Sequence, residues 1–203
     1  MRIGGFGGAA GLAAYLASER IDAVVDATHP FASRMSMNAV AACREARIAH
    51  VVFTRLPWRR EPGDRWTEVQ TTEEAADALG EAPRTAFLTQ GRLKLAAFAR
   101  APQHRYVVRA IDRPAEIDRL PKSRLILARG PFSLADELEL MRREQIDALV
   151  TKNSGGSATY AKIEAARALD IEVVILRRPP ALEADTVFSL DEAMAWIGAR
   201  REL

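Results

Sequence analysis

The residues best suited to bind a ligand lie in the segment TKNSGG at 151–156. It follows the apolar run IDALV, which predicts a buried strand over 146–151, and it precedes a helical pattern. Lys152 brings a positive charge, and the two glycines let the backbone approach a ligand closely. A strand, a cation, glycines and a helix start in this order favour a phosphate or other anion site. The alternative is a flexible turn with an exposed lysine. The candidate ligands are Lys152, Asn153, Ser154, Gly155 and Gly156.

Two other turns place an arginine just before a predicted helix. Gly91 and Arg92 follow the apolar run AFLT, and Arg129 and Gly130 follow LILA. A positive side chain at a helix N-terminus is unfavourable to the helix dipole, and a bound anion removes that conflict. Both arginines are therefore candidate anion ligands.

The segment DATHPFASR at 26–34 also follows a predicted strand. It contains Thr28, His29, Phe31 and Arg34. The histidine titrates near neutral pH, so it is suited to donate a proton or to bind a carboxylate. It is equally compatible with a loop histidine that has no chemical role, and the residues alone leave these alternatives open.

A long loop, RLPWRREPGDRW at 55–66, interleaves arginines with two tryptophans around the turn Pro62-Gly63-Asp64. Loops of this length in compact domains are often functional. Arg59 and its neighbours, together with the indoles, are suited to cover a flat acidic ligand. Otherwise the loop is a solvated connection whose tryptophans pack on a sheet.

The elements that must position these residues alternate along the chain. Apolar runs separated by helical patterns predict an α/β fold with mainly parallel sheets covered on both faces. The turn-like stretch GEAPR at 80–84 predicts a boundary between an N-terminal lobe, 1–82, and a C-terminal lobe, 83–203. Helix starts are predicted at Thr71, Ser133 and Ser189. Strands are predicted at 21–27, 50–54, 66–69, 86–89, 106–109, 125–128, 146–151 and 171–176, and helices at 33–47, 72–79, 92–100, 133–144, 157–169 and 190–200.

Composition excludes several classes of protein. A net charge of +2 over 203 residues does not suggest a nucleic-acid partner. The single cysteine, Cys43, excludes a disulfide framework, and with only three histidines it leaves no plausible metal site. No run approaches the ~18 apolar residues of a membrane span, and no secretory signal opens the sequence. We therefore expect a cytoplasmic protein that does not bind membranes.

Six motifs resemble one enzyme family in the same order along nearly the whole chain. VVDATHPFASRMSMNAVAAC, PWRREPGDRW, FLTQGR, RGPF, LVTKNSGGSATYAKIEAARAL and LRRPP are similar to segments of the precorrin-6A reductases of cobalamin biosynthesis. The resemblance implies two Rossmann-like lobes that bind NADPH and a carboxylate-rich tetrapyrrole at the cleft between them. It also implies that the first lobe lacks an N-terminal βαβ portion. On this comparison the glycines at 4–8 form an internal strand-to-helix turn facing the cleft and are not the cofactor fingerprint.

The resemblance further implies a reaction and roles for residues. Hydride passes from NADPH to a carbon–carbon double bond of precorrin-6A, giving the dihydro form, precorrin-6B. The cofactor phosphates are expected on Thr151 and the residues 152–156, with Thr89, Gly91 and Arg92. The tetrapyrrole is expected on Thr28, His29, Phe31, Arg34, Arg59 and Arg129, with His29 as the candidate catalytic proton donor. Transient contacts with other corrin-pathway enzymes are an open expectation. The alternative is a non-catalytic protein that binds a tetrapyrrole or a nucleotide.

Overall fold

The computed structural model describes residues 4–91 and 94–200, which form two compact units with all-parallel sheets. Two 3₁₀ helices, Leu95–Arg100 and Ile117–Arg119, complete the regular structure of the described residues. The elements in chain order are α1 (Gly8–Ser18), β1 (Ala23–Asp26), α2 (Ser33–Ala46), β2 (Ala49–Phe53), β3 (Trp66–Val69), α3 (Thr72–Asp77), β4 (Thr85–Leu88), β5 (Arg105–Ala110), β6 (Ser123–Leu127), α4 (Leu134–Arg143), β7 (Ala148–Lys152), α5 (Ala161–Ala168), β8 (Glu172–Leu176), β9 (Thr186–Val187) and α6 (Leu190–Gly198).

Unit 1 comprises residues 1–56 and 179–203 and contains a three-stranded sheet in the order β1-β2-β9. Asp26 lies opposite Val52, and Val52 lies opposite Thr186, so the carboxyl ends of the strands meet at one edge. The small core of this unit is formed by side chains of α1 and α2, with Leu16, Ala42 and Cys43 almost fully buried.

Unit 2 comprises residues 57–178 and contains a six-stranded sheet in the order β3-β8-β7-β4-β5-β6. β4 and β7 lie side by side at the centre, with Leu88 opposite Val150. After β4 the chain adds β5 and β6 on one side of the centre. After β7 it adds β8 on the other side, next to β3, which is the first strand of this unit in the chain. The central strands are buried on both faces, which explains their nearly continuous apolar sequences.

The predicted strands from 21–27 to 171–176 and the helix starts predicted at Thr71, Ser133 and Ser189 are confirmed. Thr71, Ser133 and Ser189 each accept a hydrogen bond from the backbone N–H three residues further on. Two helix predictions were wrong in part. Of the helix expected over 92–100, residues 92–93 lie outside the described residues, and Leu95–Arg100 form a 3₁₀ helix. The helix expected from 157 begins only at Ala161.

The compact units divide the chain at other positions than the predicted lobes 1–82 and 83–203. β3 pairs in parallel with β8, so residues after 57 belong with the second sheet. β9, which was not predicted, pairs with β2 and places the last described helix in unit 1. Strand pairing therefore decides membership of each unit, and the chain enters and leaves unit 2 only once.

Candidate functional site

The centre of the unit 2 sheet is a topological switch point between β4 and β7. Connections run outward in opposite directions from these two strands, which opens a crevice beyond their carboxyl ends where open α/β sheets bind ligands. Thr89 directly follows β4, and its N–H donates to Val150 O on β7 at 2.9 Å. The structure thus brings together the predicted segments 89–91 and 151–156.

Lys152 is the last residue of β7 and is half-buried at this crevice. Burial lowers the pKa of the Lys152 ammonium, and the positive charge of Lys94 lowers this pKa further. Two ammonium groups that disfavour each other's charge are stabilised by an anion between them. Lys94 was not among the predicted ligands, although the scarcity of lysine in the sequence was a signal that pointed to it.

The backbone of residues 152–156, called the glycine loop below, has the special geometry that its sequence predicts. Gly155 and Gly156 have φ angles of 67° and 72°, a left-handed conformation that side chains disfavour. Ser154 N–H donates to Lys152 O at 2.7 Å and tightens the turn. Because α5 begins at Ala161, anion-binding N–H groups would come from the loop itself and not from a helix N-terminus.

The side chain of Asn153 shapes this loop. Its Oδ1 accepts from the backbone N–H of Trp58 at 2.7 Å, and its Nδ2 donates to Trp58 O at 3.0 Å. The indole N–H of Trp58 donates to Gly156 O at 2.8 Å. Trp58 therefore binds the loop at both ends, and the amide of Asn153 holds the loop in shape.

Arg178, from the LRRPP motif, binds backbone carbonyl groups of the same loop. Its guanidinium donates to Asn153 O at 2.8 Å and to Ser154 O at 2.9 Å. Sequence analysis did not single out Arg178 as a site residue, because nothing in its local pattern shows that it reaches back to the loop.

The remaining predicted cofactor residues differ in accessibility. Thr151 is 1% exposed, and its hydroxyl contacts Lys152 O at 3.4 Å, so it lies in the core. Thr89 is half-buried, with its hydroxyl donating to Val150 O at 3.2 Å. Gly91 has a φ of 87°, and Arg92 lies outside the described residues. Gln90, between Thr89 and Gly91, is 4% exposed, and its amide has no hydrogen-bond partner among the described residues.

The long loop is fixed on unit 2 by its acidic residues. Asp64 N–H donates to Glu61 O at 3.0 Å, which confirms the predicted turn, and the Asp64 carboxylate accepts from Arg167 at 2.9 Å. This carboxylate raises the pKa of the Arg167 guanidinium. Trp58 and Trp66 are both buried in the core cluster, so the tryptophans pack on the sheet as the second alternative predicted.

The predicted tetrapyrrole-binding residues of unit 2, Arg59 and Arg129, are exposed. Arg59 borders a small open hollow of about 300 Å³ that is also lined by Trp58, Gly156 and Tyr160. Arg129 lies just beyond the carboxyl end of β6. Both guanidiniums are accessible to carboxylates in solution.

The other predicted tetrapyrrole-binding residues lie in unit 1, after β1. Asp26 Oδ1 accepts from the Thr28 N–H at 2.9 Å, and the Thr28 hydroxyl lies 3.1 Å from that of Ser36. His29 is exposed, and its Nδ1 accepts from the Phe31 N–H at 3.2 Å, which leaves Nε2 as the nitrogen that carries the proton in the neutral ring. The structure therefore orients this histidine through its own loop.

Arg34 is exposed in the first turn of α2. Arg34 and Thr28 also line a largely apolar cavity of about 800 Å³ in unit 1, whose wall includes the glycine turn at residues 5–8.

No helix of the described residues combines the length and the apolar character that a membrane span needs. The same part of the chain holds no group of three or more His, Cys, Asp or Glu that would bind a metal ion.

An all-parallel doubly wound sheet, with a lysine and a glycine loop at its switch point, defines a Rossmann-like α/β protein. Comparison with known proteins narrows this class. The family model described as precorrin-6x reductase CbiJ/CobK matches residues 1–198. The chain therefore belongs to the precorrin-6x reductase family of cobalamin biosynthesis, and it is a reductase.

Individual relatives agree with this assignment. The chain is 50% identical over 193 residues to a precorrin-6A reductase of a Sinorhizobium species, covering 95% of this chain and 74% of that protein. It is 31% identical to a cobalt-precorrin-6A reductase of Priestia megaterium, covering 85% of this chain and 71% of that protein. A solved structure of CobK precorrin-6A reductase matches with a TM-score of 0.95 and 45% identity, covering 98% of this chain and 82% of that one.

Proposed function

We propose that this reductase uses NADPH to reduce a carbon–carbon double bond of the precorrin-6A macrocycle, giving the dihydro product precorrin-6B. The observation that carries the cofactor part is Lys152 with its glycine loop at the switch point of unit 2. Family membership supports the substrate part. We place the reaction in the cytoplasm, with transient contacts to other corrin-pathway enzymes.

The donor groups at the switch point fit a phosphorylated cofactor. Lys152 and Lys94 lie close enough for one charge to lower the pKa of the other ammonium, and Gly155 and Gly156 have no side chain that would keep a phosphate from the loop backbone. We expect Lys152, Ser154 and the amides of Gly155 and Gly156 to hold the phosphates, with Thr89 and Gly91 across the crevice. Thr151 and Asn153 act indirectly, because one is buried and the other is engaged with Trp58.

The similarity to known reductases favours the metal-free substrate. The relative at 50% identity is a precorrin-6A reductase, whereas the cobalt-precorrin-6A reductase of Priestia megaterium is 31% identical. Reduction of both substrates by the purified enzyme, compared at equal concentration, tests this preference. We expect the higher kcat/KM with precorrin-6A.

When bound, NADPH supplies the hydride, so the protein mainly has to position the reactants. Precorrin-6A carries several carboxylates, and we assign their recognition to the guanidiniums of Arg34, Arg59 and Arg129, which suit forked contacts with carboxylates. His29 either orients one of these carboxylates through its Nε2–H or acts as a proton donor. Proton donation requires that Nδ1 release the Phe31 N–H and take up a proton, so that the imidazolium gives its Nε2 proton to the reduced macrocycle. Thr28 and Phe31 keep the histidine loop in place.

An NADPH fluorescence titration of the wild type and of Lys152→Ala tests the cofactor site. We expect saturable binding in the wild type and at least about tenfold weaker binding in the variant, since a charge-assisted contact is lost. Lys122→Ala is the matched control, because Lys122 is an exposed lysine of the same unit just before β6. Equal affinity of all three proteins would exclude Lys152 from the cofactor site.

Turnover distinguishes the reductase from a protein that only binds its ligands. We expect oxidation of NADPH when precorrin-6A is added, and a lower kcat for His29→Ala. Binding of both ligands without NADPH oxidation would support the non-catalytic alternative. Full turnover by His29→Ala would eliminate the proton-donor role and leave orientation as the remaining role of this histidine.

A further inference from the structure

Lys162 is a buried lysine that the proposed function does not use. It is the second residue of α5 and is only 4% exposed. Its Nζ lies 5.0 Å from the centre of the Trp58 ring, and no described residue forms an ion pair with it. A buried ammonium without a close counter-charge lowers the stability of the folded protein, so the contacts of Lys162 bear on its role.

A second buried cation lies in the same environment. Arg109 on β5 donates to Glu137 on α4 at 2.7 Å, and both side chains are almost fully buried. The guanidinium also stacks 3.7 Å from the ring centre of Phe132. Glu137 Oε2 has no hydrogen-bond partner among the described residues, and the charge of Glu137 also acts on the Lys162 ammonium.

The protonated cluster of Lys162, Arg109 and Glu137 therefore carries a net positive charge. The pKa of the Lys162 ammonium is lowered to about 7 by burial and by the charge of Arg109, while Glu137 opposes this change. Lys162 consequently loses or gains its proton near neutral pH. Any anion that binds close to the cluster favours the protonated form.

Trp58 connects this cluster to the glycine loop. Its ring contacts the Lys162 ammonium, its backbone pairs with the Asn153 side chain, and its indole N–H donates to Gly156 O. A cation over an indole face is a favourable contact when both are desolvated. Lys162 therefore contacts the residue that holds the glycine loop in shape.

We propose that Lys162 is a positioning residue for anion binding, whose ammonium holds Trp58 against the glycine loop and supplies buried positive charge to that site. This inference rests on the proposed cofactor site at the same loop. It assigns no contact between Lys162 and the ligand. It predicts that NADPH binding and protonation of Lys162 favour each other.

The test compares NADPH dissociation constants of wild type, Lys162→Met and Lys162→Arg at pH 6 and pH 8.5. We expect Lys162→Met to bind about tenfold more weakly at pH 6, from the loss of the cation–π contact and the charge, and like wild type at pH 8.5. Lys162→Arg stays charged and should keep its affinity at both pH values. The ligand's own titration is common to all three proteins, so the differences report on residue 162.

Two further measurements separate this inference from the proposed function. Calorimetric titration at pH 7 in buffers of different ionisation enthalpy should show proton uptake on NADPH binding by wild type and less by Lys162→Met. If wild type binds no NADPH, the proposed cofactor site fails. Hydrogen exchange of the ligand-free protein then tests the effect of Lys162 on the loop. We expect the amides of residues 153–156 to exchange faster in Lys162→Met than in wild type at pH 6. Equal exchange, or equal affinities and pH profiles, would overturn the inference.

Discussion

Replacing Asn153 by alanine should destabilise unit 2 even when no ligand is bound. The side chain accepts a hydrogen bond from Trp58 N–H at 2.7 Å and returns one to Trp58 O at 3.0 Å. Both backbone groups belong to a residue that is only 8% exposed. Water therefore replaces the lost partners poorly, and the substitution also frees the loop that carries Gly155 and Gly156.

The magnitude follows from the two hydrogen bonds. Each contributes about 1 kcal/mol net, and each buried group left without a partner costs roughly 1–3 kcal/mol. Partial access of water to the half-buried loop reduces this penalty. We expect Asn153→Ala to lower the free energy of unfolding of unit 2 by about 2–4 kcal/mol.

Urea unfolding followed by tryptophan fluorescence measures this loss. Trp58 and Trp66 report on unit 2, and Trp196 belongs to unit 1, so the experiment is best made in a Trp196→Phe background. With a slope of about 2 kcal/mol per M urea for a domain of this size, the midpoint should fall by roughly 1–2 M.

Two further variants separate the contribution of the Asn153 amide from that of its neighbours. Asn153→Asp keeps an acceptor for Trp58 N–H but has no donor for Trp58 O, so an intermediate loss is expected. Ser154→Ala removes only a hydroxyl 3.5 Å from Lys152 O and should change the midpoint little. A midpoint for Asn153→Ala within about 0.3 M of wild type, at unchanged slope, would refute the structural role given to this amide.

Two further substitutions test buried charge and close packing. Burial lowers the pKa of Lys162 from its ordinary value of 10.5 to about 7 in the folded protein. Between pH 7 and 10.5 the unfolded chain therefore binds more protons than the folded protein does. The free energy of unfolding of the wild type should consequently rise with pH across this range. Lys162→Met should lack this rise, and its free energy of unfolding at pH 7 should exceed that of the wild type by about 1–4 kcal/mol. Urea unfolding of both proteins between pH 7 and 10 measures this difference. An equal pH dependence of the two proteins would contradict the prediction. Gly11→Ala would place a methyl group on the Phe6 carbonyl oxygen, so it should destabilise unit 1 by roughly 1–3 kcal/mol in thermal unfolding. Gly198→Ala is the control, because its methyl group would meet no atom within 4 Å. This second substitution should be neutral or slightly stabilising. Equal melting temperatures of the two glycine variants would argue against the close approach.

The sequence predicts most elements of this fold for a physical reason. Strands that are buried on both faces must be apolar throughout, so runs such as IDALV are recognisable without knowledge of their partners. β9 cannot be recognised in this way, because its two residues, Thr186 and Val187, are too few to form an apolar run. The sheet to which β3 belongs is equally hidden, since WTEV has the same pattern whichever strand it pairs with.

The candidate site is predictable only in its main-chain part. Glycines, a preceding strand and Lys152 are local features, and they identified the loop at 152–156. The partner of Asn153 lies 95 positions earlier in the chain, so its engagement with Trp58 has no local signal. Glu137 and Lys162 occur within helices, where charged residues usually face solvent, and only the three-dimensional structure shows that they are buried.

The interrupted course of the chain through unit 1 has a consequence for the order of folding during synthesis. Unit 2 is one continuous stretch, 57–178, so all six of its strands have been synthesised before Thr186 and Val187 are added. The sheet of unit 1 gains β9 only afterwards, by addition of a strand beside β2. β1 and β2 are therefore made early in synthesis, but their sheet is completed only after the whole of unit 2 has been made.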